Sequence, residues 1–439
     1  MSAQYPIHDP VAGLETDLHL TGLRFNISLA VFYVTYVLVE LPSNHLLRYF
    51  GAKVWLPGLV FLWGTTTICT AFVTTYASLI GIRLVLGFFE GGLLPGMVLH
   101  LSTLYLKDEL QLRIGLFFSC SAWSGALGGF LAYAIERMNG VGGKPSWAWI
   151  FILENRFKFD YDSWRKSQRT DSKRRSECNQ DTEETEKKLP LDFCPAVSFD
   201  ALQVEKFETQ EVWRGILEPQ VWMTGFALMF ITIATQSFGF FLVIKEMGHD
   251  RVYTQLLSAY PYLPASVLVI VISFLADKWQ SRGPMILVML PLSIAGYLMA
   301  IISERPKIRY ASVFLIGAGL YPPIPCFFTL IAHNTSGMTK RATVTALQTM
   351  IANSAGFFAP FLYTSDQAPR FVKGHTIALG LICAAWVLTA CNVLYCWKEN
   401  KARKAGKKDY RVKRYQVMIN ENKTKAPIGD RDPTFVFTL

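Results

Sequence analysis

The chain has 439 residues, of which 51% are hydrophobic and 17% are charged, and its formal net charge is +10. Ordinary soluble domains carry about 25% charged residues, so this composition argues against a soluble protein with two or three separate cores. The apolar residues stand in long blocks, each about as long as a helix must be to cross a bilayer. The composition therefore predicts an all-α membrane protein with many spans.

Ten apolar blocks are long enough to predict membrane-spanning helices. In chain order they lie at 27–47, 55–75, 78–104, 113–135, 220–244, 254–276, 284–303, 310–332, 342–363 and 375–397. The residues before the first block are of mixed polarity and lack the apolar core of a cleavable signal peptide. We therefore expect four spans, an interruption and then six spans.

The interruption is a very polar stretch that contains Lys173-Arg174-Arg175 and Glu183-Glu184. Such a sequence cannot cross a bilayer and is typical of a disordered linker. The predicted parts are an extracellular N-terminal segment, an incomplete N-terminal helix bundle, a polar cytoplasmic linker, a C-terminal six-helix bundle and a basic cytoplasmic tail. They cover residues 1–26, 27–154, 155–212, 213–397 and 398–439.

The positive charge is concentrated after the last block. The basic residues there are Lys398, Lys401, Arg403, Lys404, Lys407, Lys408, Arg411, Lys413 and Arg414. Such a run can bind nucleic acid, but next to a span it more often marks the cytoplasmic side, because lysine and arginine resist translocation. We therefore predict a cytoplasmic tail and no nucleic-acid partner.

Basic residues also orient the first half and reveal a mismatch. The loops that contain Arg48 with Lys53, and Lys107 with Arg113, favour the cytoplasm and put the N-terminus outside. Four spans that start outside end outside, whereas six spans that end inside start inside. The segment between must cross once, yet its apolar remnant, Trp147–Leu153, covers about a third of the ~30 Å core. The remnant crosses in distorted form, one half is inverted, or a helix has been lost.

A charged motif, Arg83-x3-Gly87-x2-Glu90-Gly91, lies in the third span. Arg83 and Glu90 are seven residues apart and so share one face of a helix. Charges inside a membrane usually point into a polar cavity, where arginine can bind a carboxylate and glutamate can take up a proton. The alternative for Arg83 is a place at the helix start, with its side chain at the interface. Gly87 and Gly91 would let a neighbouring helix approach closely.

Polar residues within the second-half spans are further candidates. Gln236, Tyr321 and Asn353 each stand among apolar residues, where an unpaired polar group costs free energy. We predict that they line a cavity and bind a substrate. For the tyrosine, packing between helices explains the position equally well.

Six groups of short motifs occur in order near the ends of the predicted spans. They are Gly13-Leu14-Glu15 with Leu20-Thr21-Gly22, Glu40-Leu41-Pro42-Ser43-Asn44, Arg83–Gly96, Trp149–Glu154, Thr339-Lys340-Arg341, and Ala368-Pro369-Arg370 with Gly374-His375. Through these motifs the chain resembles the fungal allantoate/nicotinate permease type of anion:cation symporters in the major facilitator superfamily.

The resemblance implies two pseudo-symmetric helix bundles and alternating access between them. It also implies proton-coupled uptake of a small organic anion, such as a carboxylate-bearing vitamin or nitrogen compound. The partners would be that anion, protons and the lipid bilayer, and the protein would be a monomer in the plasma membrane. The resemblance implies no cofactor and no metal.

The resemblance also assigns roles to residues at the span ends. Glu40 lies where that family has a cytoplasmic hinge, and with Glu90 it becomes a candidate carrier of the coupling proton. Asp277, Lys278 and Arg282 match a gate motif in which an aspartate pairs with a helix end and an arginine. We predict that these three residues gate the cytoplasmic side.

The family pattern explains the count of spans. In that family Gly13-Leu14-Glu15 follows a first spanning helix, and Trp149–Glu154 opens a sixth. Neither helix is recognisable here, so we expect about 10 full transmembrane helices instead of 12, through a truncated start and a frame or splice error.

The missing helices leave a second hypothesis open, namely a non-transporting membrane sensor or a defective truncated transporter product. An enzyme is not predicted, because the sequence shows no phosphate loop, no zinc-protease motif and no nucleophile elbow. The eight cysteines show no metal-ligand spacing and read as small apolar residues.

Overall fold

The computed structural model describes residues 23–105, 109–120, 209–237, 260–363, 370–420 and 429–439, together with a few single positions. Every regular element within these ranges is a helix, which confirms the predicted all-α membrane fold. Three predicted parts lie outside the described residues: the N-terminal segment up to residue 22 except Leu18, the remnant 147–153 except Trp149, and the linker up to residue 208. Their predicted organisation stays a prediction.

Long helices follow one another along both halves of the chain. The first half has α1 (Arg24–Phe50), α2 (Ala52–Thr70), α3 (Tyr76–Glu90), α4 (Leu93–Leu104) and helical residues 109–120. The second half has α5 (Thr209–Ile216), α6 (Pro219–Ser237), α7 (Tyr262–Trp279), α8 (Arg282–Ile302), α9 (Pro306–Leu320), α10 (Pro323–His333), α11 (Met338–Asn353), α12 (Val372–Lys404) and α13 (Tyr410–Asn420).

Six stretches of the described chain are long and apolar enough to cross a membrane. They are Arg24–Leu47, Tyr76–Ser102, Tyr262–Trp279, Arg282–Ile302, Pro306–His333 and Val372–Lys404. The pair α5 and α6, bent by 55°, is a seventh candidate. The block predicted at 55–75 overlaps α2 and the one at 342–363 begins within α11, whereas 113–135 is described only in part. The total of ten spans stays a prediction.

Two predicted spans are broken rather than continuous. The α-helix predicted across 310–332 is interrupted between α9 and α10, where Pro322 and Pro323 lack the N–H groups that a helix needs. The span predicted at 342–363 is α-helical only to Asn353 and continues as two 3₁₀ turns, Ser354–Phe357 and Ala359–Phe361. Breaks within membrane helices often lie at binding or hinge regions.

The helices α1 and α3 pack together through Gly87 of α3 and Gly91, which follows its last residue. A Cβ atom at Gly87 would lie 2.2 Å from the carbonyl oxygen of Phe32, and one at Gly91 would lie 2.4 Å from that of Tyr36. Any larger residue at these positions would push the helices apart. The glycines therefore hold the face of α3 that carries Arg83 against α1.

Replacing Gly87 by alanine is expected to destabilise the protein. The added methyl group would force the backbones of α1 and α3 apart, and overpacking of this kind typically costs about 1–3 kcal/mol. The measurement is the thermal unfolding temperature of the purified protein in detergent. Gly81→Ala is the matched control, because a Cβ atom there meets nothing within 4 Å; equal losses from both changes would contradict the packing argument.

The helices run between two ends of the protein. We call the end where α1, α4, α7 and α10 finish the basic end, because Lys53, Lys278, Lys340 and the basic residues of the tail lie there. The halves meet along α1, which packs on α11 and its 3₁₀ turns. Nearer the basic end, Val98, Leu110 and Ile114 of the first half join the apolar core of the second half.

Candidate functional site

A buried carboxyl group joins the two halves of the protein. Tyr33, Tyr36 and Glu40 occupy one face of α1, because their spacing of three and four residues matches a helical turn. Glu40 is 0% exposed, and one of its oxygens accepts a hydrogen bond of 2.5 Å from the side-chain amide of Asn353. Its Oε2 atom makes no hydrogen bond within the described part of the chain. The contact links α1 directly to α11.

The break in α11 places this amide. Asn353 is the last α-helical residue, and the 3₁₀ turn Ser354–Phe357 follows it. A Cβ atom at Gly356 would lie 2.1 Å from the ring of Tyr33. The absence of a side chain at Gly356 therefore lets the turn pack against α1, which holds Asn353 within reach of Glu40.

Arg83 and Glu90 lie close to the same face of α1. Both are buried, at 4% and 8% exposure, so the alternative in which Arg83 reaches the membrane interface does not fit. The hydroxyl group of Tyr33 lies within electrostatic range of Arg83 and Glu90 and next to the side-chain amide of Gln236. Tyr33 thus stands beside the amide of α6 and in the neighbourhood of the two charged groups of α3.

Tyr36 connects these groups to the buried carboxyl. Its hydroxyl group interacts electrostatically with the side chains of Glu40, Glu90 and Tyr33. We call the whole set the central cluster. Its members are Tyr33, Tyr36, Glu40, Arg83, Glu90, Gln236 and Asn353.

Tyr321, which the sequence suggested as a substrate ligand, pairs elsewhere. Its ring packs on that of Tyr262 at 5.9 Å between centroids, in an edge-to-face arrangement. Both residues belong to the second half. This geometry favours the alternative in which Tyr321 packs between helices, and we do not include it in the central cluster.

A second polar set lies toward the basic end. One carboxylate oxygen of Asp277 accepts a 2.8 Å hydrogen bond from the backbone N–H of Leu112, and the other accepts one of 3.1 Å from Arg282. Asp277 therefore joins the end of α7 to the start of the helical residues 109–120, where N–H groups favour negative charge. Arg282 is fully buried and also donates to Gln280. Lys278, in contrast, is exposed.

Further hydrogen bonds near Asp277 also join the two halves. The side-chain amide of Gln111 lies 3.4 Å from the hydroxyl of Ser273 and 3.2 Å from the sulfur of Cys326, and Thr329 donates to the amide oxygen of Gln111. The guanidinium of Arg341 donates to the carbonyl oxygen of Ser102 at 3.2 Å. We call these contacts the inter-half cluster. Its members are Ser102, Gln111, Leu112, Ser273, Asp277, Arg282, Cys326, Thr329 and Arg341.

Sequence reasoning missed several of these residues. Tyr33 and Tyr36 stand in an apolar block, where aromatic residues are ordinarily packing groups. The signal was their spacing from Glu40 and Asn44, which puts all four on one stripe of a helix. Gln111 stands beside charged residues at a helix start, and no sequence signal distinguished it.

Long apolar helices in two halves that meet around buried charges are an arrangement found in membrane transporters. The chain belongs to the Major Facilitator Superfamily, whose family model matches residues 9–154 and 164–360. It is an integral membrane protein and a secondary transporter by family. The central cluster and the inter-half cluster are both made from the two halves of this transporter fold.

Relatives from fungi support this membership. An uncharacterized transporter of Schizosaccharomyces pombe is 31% identical over 433 residues, which cover 98% of this chain and 84% of that protein. The high-affinity nicotinic acid transporter of Saccharomyces cerevisiae is 27% identical over 410 residues, which cover 90% of this chain and 73% of that protein.

A solved structure supports the fold. The proton:xylose symporter XylE has a TM-score of 0.66 to this chain at 14% identity, with 90% of this chain and 92% of that chain covered. At this identity the likeness shows the fold and carries no information on the substrate.

Proposed function

We propose that this transporter imports a small organic anion together with protons across the plasma membrane, in the manner of anion:cation symporters. The basic end would be the cytoplasmic face, since lysine and arginine accumulate on that side of membrane proteins. The two halves would open alternately toward either side around the central cluster. The similarity to a nicotinic acid transporter makes a carboxylate-bearing compound the first candidate.

Each member of the central cluster has a chemical role in this proposal. Arg83 binds the carboxylate of the anion through two hydrogen bonds, which its planar guanidinium group suits. Glu40 and Glu90 carry the coupling proton. Gln236 and Asn353 orient the bound anion from the second half.

The contact between Glu40 and Asn353 is the observation that carries the proposal. An ionised carboxylate is costly to bury inside a membrane protein unless it is paired, whereas a neutral carboxyl costs much less. The protonation state of Glu40 therefore influences how readily the two halves close around it. Proton binding and the change between open and closed states are linked in this way.

Uptake measurements test the proposal. The purified full-length chain, reconstituted into liposomes, is expected to accumulate radiolabelled nicotinate when the outside is more acidic than the inside. Collapse of the pH difference by a protonophore is expected to stop accumulation, and the neutral amide of the same acid is the matched control substrate. Uptake that ignores the pH difference would remove the coupling from the proposal.

Within this proposal Asp277 and Arg282 close the cytoplasmic side. Changing Asp277 to asparagine removes the negative charge at the start of helical residues 109–120, and hydrogen bonds to charged groups contribute roughly 1.5–3 kcal/mol. We expect this side to open more often. In a variant whose one cysteine is Cys326, fully buried against Gln111 in the structure, a maleimide reagent is expected to react about tenfold faster.

Lys278→Gln provides the control for this experiment, because Lys278 is the exposed neighbour of Asp277. We expect its labelling rate to match that of the parent, although the sequence placed it in the gate. A rate that rises equally in both variants would show that loop charge in general, rather than the contacts of Asp277, keeps this side closed.

A further inference from the structure

The last described segment of the chain, 429–439, folds back onto the basic end of the second half. We call this segment the tail strap. Its Phe437 is 4% exposed, whereas the adjacent Val436 is 62% exposed. The guanidinium of Arg403 lies 4.2 Å from the centroid of the Phe437 ring. The strap therefore has an inner and an outer face and is seated on the bundle.

Side-chain amides hold the backbone of the strap in register. Asn400 of α12 donates to the carbonyl oxygen of Phe437 at 2.8 Å and accepts from its N–H at 2.9 Å. Asn334, next to the end of α10, makes the same two-sided contact with Thr438 at 3.1 and 2.8 Å. Arg403 also donates to the carbonyl oxygens of Asp432 and Phe435. Such paired bonds are specific for one alignment of the chain.

The strap ends on a residue of the inter-half cluster. The backbone oxygen of Leu439 accepts hydrogen bonds from the backbone N–H groups of Arg282, at 2.8 Å, and Gly283, at 3.1 Å. These groups belong to the first turn of α8, whose N–H groups have no partner within the helix. Ser281, which precedes the helix, makes no side-chain cap. The strap thus caps the helix from which Arg282 reaches Asp277.

The strap also reaches the first turn of α11, which carries Lys340 and Arg341. Asp430 accepts a 2.6 Å hydrogen bond from the ammonium group of Lys340, which Glu218 also binds at 2.9 Å. Burial opposes the charge on Lys340, but Asp430 and Glu218 together raise its pKa above the ordinary value. The lysine is therefore a buried, doubly paired cation. Its neighbour Arg341 contacts Ser102 in the other half.

From these contacts we infer that the tail strap is a positioning element of the cytoplasmic gate, which fixes Arg282 and the first turn of α11 in the arrangement that closes the two halves. This inference rests on the proposed function for the meaning of the gate. The hydrogen bonds and ion pairs of the strap described above join it to residues of the second half. The strap therefore acts by ordering gate residues rather than by bridging the halves itself.

The test uses the labelling rate of Cys326 as the one cysteine, which needs no substrate. Deleting residues 429–439 is expected to raise the rate about fivefold or more, in the usual range of coupling between sites. Phe437→Ala is expected to do the same with the chain length kept, whereas Val436→Ala leaves the rate unchanged. Size-exclusion profiles and unfolding temperatures establish that each variant is folded.

Combination with Asp277→Asn separates a positioning role from general loosening of the fold. If the strap acts through Arg282 and its partner, its deletion adds little once Asp277 has been changed, because the two changes affect one set of contacts. An equal increase in both backgrounds would overturn the inference, as would folded strap variants that label at the parental rate. Absence of anion uptake would count against the proposed function alone and would leave these rates interpretable.

Discussion

Replacing Glu40 by glutamine is expected to uncouple anion movement from the pH difference. Glutamine keeps the size of the side chain and can still hydrogen-bond to Asn353, but it can neither take up nor release a proton. Couplings between two ligands are typically about 5–150-fold, and we expect the stimulation of nicotinate uptake by an acidic outside to fall to about onefold. The measurement is uptake into liposomes with and without the pH difference.

Two further observations make this prediction specific. Exchange of labelled for unlabelled anion, which needs no net proton movement, is expected to persist in the variant. Glu304→Gln is the matched control, because that side chain is 83% exposed and pairs with the exposed Arg370. Full pH stimulation in the Glu40 variant would assign the proton to another group, and Glu90→Gln would then be the variant to measure.

Replacing Arg83 by lysine is expected to weaken binding of carboxylate substrates strongly. Lysine keeps the positive charge but presents a point charge on a flexible stem instead of a planar pair of donors. Loss of one charge-assisted hydrogen bond costs roughly 1.5–3 kcal/mol, which corresponds to an increase of about tenfold or more in the half-saturating concentration. The measurement is the half-saturating anion concentration in the exchange assay. Because exchange needs no net proton movement, a change in this concentration reports anion binding rather than proton coupling.

The control for this prediction is Arg370→Lys. Arg370 is a surface arginine whose side chain is 42% exposed and lies 3.4 Å from Glu304, and pairs of this kind contribute little. We expect its variant to transport like the parent. If Arg83→Lys also left the half-saturating concentration unchanged, the guanidinium of Arg83 would be a helix-packing group and the anion would bind elsewhere.

The sequence predicted the fold class and the position of many helices, because block length and polarity are local properties. It also identified five members of the central cluster, since charged and amide side chains stand out in apolar blocks. The sequence could not predict which of these residues pair with each other, because Glu40 and Asn353 are 313 residues apart. Which residue of one half meets which residue of the other depends on the crossing of α1 and α11, and that crossing is set by tertiary packing.

Two features show where local patterns were insufficient. Continuous α-helix was expected through 342–363, but the structure changes to 3₁₀ turns after Asn353, since Gly356 and Pro360 weaken regular helix. The tail after residue 397 was read from its charge alone. The alternation of Phe435, Phe437 and Leu439 with more polar or exposed neighbours is typical of an extended segment with one buried side, and its amide partners stand far away in the sequence.

The bond between Asn353 and Glu40 bears on the return half of the proposed transport cycle. After delivering its cargo, a symporter must reset while empty, and a bare negative charge at the centre would make that step slow. An amide N–H that donates to Glu40 lowers the barrier for the unloaded carrier without helping the loaded one equally. Substitution of Asn353 by leucine would then slow net uptake more strongly than exchange, because exchange skips the reset of the unloaded carrier.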